Sequence, residues 1–262
     1  MRSLHYLTAV LLLLPSLATA DFFWVAALAK ESGLNDQRTL FATKLDNLTP
    51  LVTKAWREGY IITDISHSPR RWLTVLSKGT GVKKQLYVHR RLMSEFQNVV
   101  NRYHQKGYAL SNVENGVGAW VAVFEKGGKV QGTELTVVRN VEALKTEIKK
   151  HRDKGALLID VEAAEGYWLA VFAKKAPFKA QEYLLLEDKE TVEKSIEKHW
   201  KEGYSLQGLE YGNNHWFVLF SKLDKLRQET YVVSDKYVKF RRLINTYWQE
   251  GYRITDLAEG RN

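Results

Sequence analysis

The sequence predicts an α+β fold of five tandem 48-residue βββα repeats, closed into a pseudo-five-fold α/β-propeller. Three observations predict it. Trp24, Trp72, Trp120, Trp168 and Trp216 recur every 48 residues without insertion. Gly59, Gly107, Gly155, Gly203 and Gly251 keep the same step, as do Lys30, Lys78, Lys126, Lys174 and Lys222. The chain also starts and stops out of phase with its own repeat. A fixed period of this length is the signature of one supersecondary unit used again and again.

Residues 1–20 stand apart. Arg2 supplies a positive start, Leu7–Leu14 an apolar core and Ala18-Thr19-Ala20 a small-residue cleavage site. This pattern predicts a secretory signal peptide, too short for a membrane span, ahead of one domain over residues 21–262. The expectation is a secreted or periplasmic protein with no transmembrane segment, and a monomer. Loss of Arg2 lowers the net charge from +9 to about +8, which favours acidic partners without specifying one. The chain has no cysteine, so it has no disulfides, no thiolate metal site and no cysteine nucleophile.

Within each copy, counted from starts near 24, 72, 120, 168 and 216, the Trp opens a run such as Trp72–Lys78 that is apolar on both faces. Such a run predicts a buried central strand. A second run, as in Gln85-Leu-Tyr-Val88, alternates and predicts a strand buried on one face. An amphipathic helix follows, opening near the capping types Asp46, Ser94, Asn140, Asp188 and Asp235. The recurring Gly predicts a left-handed helix stop. A third strand follows, as in Tyr60–Ile65, Tyr204–Leu209 and Tyr252–Leu257.

Each terminus supplies what the other lacks. Pairing Tyr252–Leu257 beside Trp24–Lys30 would complete a fifth sheet and leave no incomplete edges. The cyclic unit resembles the pentein fold; an ordinary five-bladed propeller or an open array are the other arrangements. Pentein enzymes that modify guanidino groups use a cysteine nucleophile, which this chain lacks.

Ser77-Lys-Gly-Thr-Gly81 with Gln85 and Tyr87, Trp56-Arg-Glu-Gly-Tyr60 with Ile62–Ile65, and Gln228–Asp235 with Tyr247–Asp256 resemble a known repeat. It is the region that follows the kinase domain in plant casein-kinase-1-like proteins. The resemblance covers residues 24–258 and implies an accessory or interaction module without catalytic residues.

Candidate chemistry is sparse. His151-Arg152-Asp153 spells a kinase catalytic-loop tripeptide, but Leu158 stands where Asn is needed and no Gly-rich loop or Asp-Phe-Gly accompanies it. The tripeptide reads as the end of a repeat helix. The strand Trp residues read as core anchors. The histidines lack metal-binding spacing, there is no Gly-x-Ser-x-Gly, and no metal or cofactor is expected. Asp64, Asp160 and Asp256 share one repeat position, held by Asn112 and Gly208 in the other copies. They are the weak catalytic candidates: converging carboxylates serve hydrolysis of glycans or phosphoesters, whereas isolated ones bond local backbone.

Charge along the loops carries the functional expectation. After the Trp strand come Lys78, Lys83 and Lys84; Lys126 and Lys129; Lys174, Lys175 and Lys179; Lys222, Lys225 and Arg227. Before it come Glu114, Glu162, Glu165, Glu210 and Glu259, with Arg70 and Arg71 as exceptions. The two sets fall at opposite ends of the Trp strand and predict a basic and an acidic rim. The expected function is an exported, non-enzymatic binding or scaffolding module whose basic rim contacts an acidic macromolecule or polysaccharide. The second reading is a hydrolase using the Asp column.

Overall fold

The computed structural model describes residues 22–68 and 71–261. The proposed signal peptide and Arg70 lie outside them.

The five Trp runs are strands β1 (Phe22–Ala29), β4 (Arg71–Ser77), β7 (Ala119–Lys126), β10 (Tyr167–Lys175) and β13 (His215–Ser221). Each is the middle strand of a three-stranded antiparallel sheet. On one side lie β2 (Gln37–Ala42), β5 (Lys84–Arg90), β8 (Gln131–Val138), β11 (Gln181–Leu186) and β14 (Glu229–Ser234). On the other lie the third strands, β3 (Ile61–Ser68), β6 (Ala109–Gly116), β9 (Leu157–Ala164), β12 (Ser205–Gly212) and β15 (Arg253–Arg261).

The sheets are β2-β4-β3, β5-β7-β6, β8-β10-β9, β11-β13-β12 and β14-β1-β15. The unit that builds one sheet is therefore strand, helix, strand, strand. This corrects the βββα order: the Trp strand closes the sheet begun by the preceding copy, and the following loop crosses to the next sheet. The first and last strands do share a sheet, with Trp24 opposite Glu259 and Ala26 opposite Leu257.

Helices α1 (Leu45–Arg57), α2 (Met93–Gln105), α3 (Val141–Asp153), α4 (Lys189–Lys201) and α5 (Tyr237–Gln249) connect the first strand of each sheet to its third. Asn140 and Asp188 cap α3 and α4, accepting from the Ala143 and Thr191 amides at 2.8 Å. The other three caps are Lys44, Leu92 and Lys236, with no side-chain bond. Asp46 and Ser94 instead sit inside the first turn and Asp235 lies before the cap, so these three do not cap as the sequence suggested. All five recurring glycines have φ between +73° and +88°. In the first copy Gly59 N–H donates to Trp56 and Tyr60 N–H to Ala55, both at 3.0 Å, a Schellman end that suits glycine.

Each helix packs its apolar stripe on its own sheet and on the next Trp strand. Leu48, Val52 and Ala55 of α1 join Ile62, Trp72 and Leu76, and the same core takes in Val121 and Val123 of β7. Leu73 and Val75 of β4 face the other way, into the core of α5. Every middle strand thus serves two cores, which is why it is apolar on both faces. Trp72, Trp120, Trp168 and Trp216 are fully buried; Trp24 is only half-buried.

The third strands contact one another in cyclic order: β3 with β6, β6 with β9, β9 with β12, β12 with β15 and β15 with β3.

Candidate functional site

A bulge in every third strand sets what faces inward. The register between third and middle strand slips between Ile62 and Asp64, and at the corresponding place in the other four sheets. A bulge leaves one residue unpaired and re-aims the strand beyond it. Residues before the slip (Ile62, Leu110, Leu158, Leu206, Ile254) point into the helix cores, while the Asp column after it turns to where the third strands meet.

The Asp column ties neighbouring sheets together. Asp160 accepts the Val113 amide at 2.6 Å and Asp256 the Leu209 amide at 2.8 Å, each from the preceding copy. Asp64 accepts from Asn112 Nδ2 of the following copy at 3.3 Å. These are contacts between sheets, not turns.

Two residues further along lie Glu114, Glu162 and Glu210, with Glu259 beyond. The sequence placed these in loops before the Trp; they belong to the third strands, and only Glu165 sits in a hairpin turn. Burial pushes Asp64 and Asp160, Glu114, Glu162, Glu210 and Asp256 upward, Asp64 to about 7, and Glu259 to about 8. Mutual repulsion adds to it: Glu114 feels Glu162, Glu210, Asp64 and Asp160. With these values Asp64 and Glu259 are partly protonated near neutral pH. The carboxyls line a cavity of about 440 Å³ through Glu114, Glu162, Glu210 and Glu259, together with His67 and Arg261. Burial lowers His67 to about 4, so it is neutral there.

At the opposite end of the Trp strands the five crossover loops meet. Leu34, Val82, Val130, Phe178 and Leu223, one from each crossover, line a single cavity of about 320 Å³ with Lys129 and Arg227 on its wall. The predicted basic residues divide. Lys78, Lys126 and Lys222 lie over Tyr60, Tyr108 and Tyr204 at 4.4–4.6 Å from the ring centroids. Lys30 repeats this on Tyr252 at 4.7 Å, a packing role for four of the five lysines in that column. Lys179 pairs with Asp224 at 2.6 Å. Lys83, Lys84, Lys129, Lys174, Lys175 and Lys225 are exposed and Arg227 half-buried. Lys126, Lys174 and Lys175 end strands and Lys84 begins one, rather than lying in loops.

A further column went unread in the sequence. Gln37, Gln85, Thr133, Gln181 and Glu229 open the first strands and reach across to the preceding sheet. Gln85 Oε1 accepts the Ile62 amide at 2.7 Å while its Nε2 donates to the Ile62 carbonyl at 2.7 Å. Gln181 does the same with Leu158, at 2.9 and 2.6 Å. Gln37 does it with Ile254 of the last strand, at 2.7 Å both ways. Thr133 and Glu229 accept from Leu110 and Leu206 at 2.8 and 2.9 Å. The helix-end indoles Trp56, Trp200 and Trp248 donate to Gln85, Glu229 and Gln37 at 2.8–3.1 Å.

His151 of the kinase-like tripeptide is buried at the end of α3 and stacks on Phe172 with centroids 3.9 Å apart. Among the described residues no three His, Asp or Glu side chains are arranged to hold a metal ion, and no helix is long and apolar enough to cross a membrane.

Among curated proteins none matches the chain. A family model described as "Domain of unknown function (DUF7477)" matches residues 82–262, and the chain belongs to that family.

Proposed function

We propose that this chain is an exported, non-enzymatic binding module, folded as a closed pseudo-five-fold α/β-propeller with a pentein-like cyclic unit, whose basic crossover end engages an acidic macromolecule or polysaccharide. Closure is supported by the cyclic contacts of the third strands and by the Gln column, which bridges each pair of neighbouring sheets including the last to the first. The likeness to the repeat that follows the kinase domain in plant casein-kinase-1-like proteins fits an interaction role. Secretion rests on the pattern of residues 1–20.

One observation carries the binding reading: all five crossovers line one cavity, with Lys129 and Arg227 beside the buried Glu125 and half-buried Glu229 on its wall, and exposed lysines on the crossovers and adjoining strand ends. Solvated cations gathered at one mouth attract a polyanion with a strong salt dependence. The hydrolase reading has less support, because Asp160 and Asp256 already accept backbone amides from a neighbouring sheet and Asp64 accepts from Asn112.

Changing Lys83, Lys84, Lys129, Lys175, Lys225 and Arg227 to Gln should weaken heparin binding more than about tenfold while leaving the melting temperature nearly unchanged. The control changes Lys149, Lys194, Lys198, Lys201, Lys239 and Arg242 on the helices, an equal loss of charge. Equal loss of affinity in both variants, or no binding by the parent protein at low salt, defeats the reading.

A further inference from the structure

One side chain at the crossover end breaks the repeat. Five residues after each Trp, where the middle strands run out toward the crossovers, stand Ala29, Ser77, Glu125, Ala173 and Ser221. Ser77 and Ser221 are absorbed by the protein. They accept from the glutamines opposite, Gln37 at 2.9 Å and Gln181 at 3.3 Å, and each also bonds a bulge residue, Thr63 or Gln207. Glu125 is not absorbed. It is 8% exposed and lines the cavity of about 320 Å³, yet among the described residues it makes no hydrogen bond and no ion pair. Gln85, which lies opposite, directs both of its amide atoms to Ile62.

A buried carboxyl without a partner is costly, and four copies fold with an uncharged residue at this position. The fold therefore does not call for Glu125. Its loop nevertheless makes room for it: a Cβ on Gly128 would collide with Glu125 Oε1. Other polar groups converge on the same space. The unpaired bulge residues Thr63, Ser111, Gln207 and Thr255 line the cavity beneath the apolar crossover side chains and the half-buried Phe178 ring. Hydroxyls, an amide and a carboxyl thus form the floor, and Lys129 and Arg227 stand on the wall. The volume is that of a small-molecule site.

Building on the reading of this end as a binder of acidic polysaccharide, we propose that the cavity receives one uronic acid residue. Its hydroxyls meet Glu125 and the bulge residues, and its carboxylate meets Lys129 and Arg227. Sugar hydroxyls both donate and accept, as a floor of mixed polar groups requires. Burial raises Glu125 to about 7, so near neutral pH it too is present both as donor and as acceptor. A pyranose ring also offers an apolar face to Phe178 and the aliphatic collar, which a simple anion lacks. Lys129 and Arg227 stand beside Glu125 and Glu229, a balance that suits a singly charged anion better than a phosphate dianion. The same two cations disfavour an ammonium ligand.

Calorimetric titration of the full-length chain with glucuronate tests the proposal, with glucose, acetate and glucose 6-phosphate run at matched ionic strength. Glucuronate should bind at least about tenfold more tightly than each of the three. Glu125→Ser places at this position the residue type of Ser77 and Ser221. It should weaken glucuronate at least about tenfold, with a melting temperature unchanged or higher, because an unpartnered buried carboxyl is gone. Lys129→Gln combined with Arg227→Gln should erase the advantage of glucuronate over glucose. Heparin titrated into the parent protein separates the two readings: heparin without glucuronate keeps the lysine rim and overturns the cavity site, and glucuronate without heparin does the converse. Equal affinity for glucose or acetate, tighter binding of glucose 6-phosphate, or full glucuronate affinity in the Glu125 variant would each overturn the proposal as well.

Discussion

The two ends of the Trp strands face the same problem, gathering charges from several copies in one place, and solve it in opposite ways. At the crossover end the charges ride on long side chains that reach water or lie along a tyrosine face, as Lys78 does on Tyr60. At the hairpin end they ride on short carboxyls held inward by a bulge, and burial drives them toward the protonated state. Stem length decides the outcome. Lysine can keep its ammonium hydrated while its stem packs, whereas an aspartate directly after a bulge goes where the strand points. The same repeat therefore yields solvated lysines at one end, with Glu125 buried and Glu229 half-buried beneath them, and a ring of inward carboxyls at the other.

Removing residues 251–262 takes a whole third strand, with groups at both ends, and it should have the largest effect. The deletion takes Asp256 and Glu259, strips β1 of one partner and leaves Gln37 without Ile254. Aggregation or loss of cooperative melting is expected, because two strand edges are exposed. An unchanged melting temperature with monomeric elution would rule out the ring.

Next in size is the Gln column at the crossover end. Gln85→Ala leaves the Ile62 amide and carbonyl and the Trp56 indole without partners. A loss of about 2–4 kcal/mol in denaturant melts is expected for such unsatisfied groups. Lys84→Ala, its exposed neighbour, should change stability by less than about 0.5 kcal/mol. Similar losses for the two would mean that the Gln bridge contributes nothing.

How much of this was legible in the sequence follows from phase. The middle strands were readable because apolar residues on both faces repeat in every copy, and the glycine stops because left-handed backbone is what glycine supplies. The pairing of β15 with β1 followed from termini cut out of phase. The bulge was not legible. It shifts the alternation by one residue at Thr63 and its equivalents, so Glu114, Glu162 and Glu210 read as loop charges when they line the interior. The Gln column looked like the polar face of a half-buried strand, since nothing local shows that its amide pairs with backbone 23 residues earlier. The helix starts misled because the cap position holds Lys44, Leu92 and Lys236, and neighbouring Asp and Ser drew attention away.

The smallest expected effect is the one that separates the two ends most directly, their response to pH. Glu114, Glu162 and Glu210 titrate in the folded protein well above the usual 4.5, and Asp64 near 7 instead of 3.8. The folded state therefore binds more protons than the unfolded chain between about pH 4 and the folded values, and stability falls as pH rises through that window. His67 acts the other way: lowered to about 4, it supports the fold above 6.5 and withdraws that support as pH drops. His67 and His104, both lowered by burial, are outweighed by seven raised carboxyls, so the melting temperature should be higher at about pH 5.5 than at about pH 8. Glu162→Gln removes one titrating group while retaining its acceptor oxygen. It should raise the melting temperature at about pH 8 by about 2–4 °C and leave it nearly unchanged at about pH 5.5. Substituting exposed Lys175 by Gln at the crossover end should shift neither value measurably. Equal pH responses in the parent and in the Glu162 variant would mean that water reaches these carboxyls freely, and that the two ends differ in sign of charge alone.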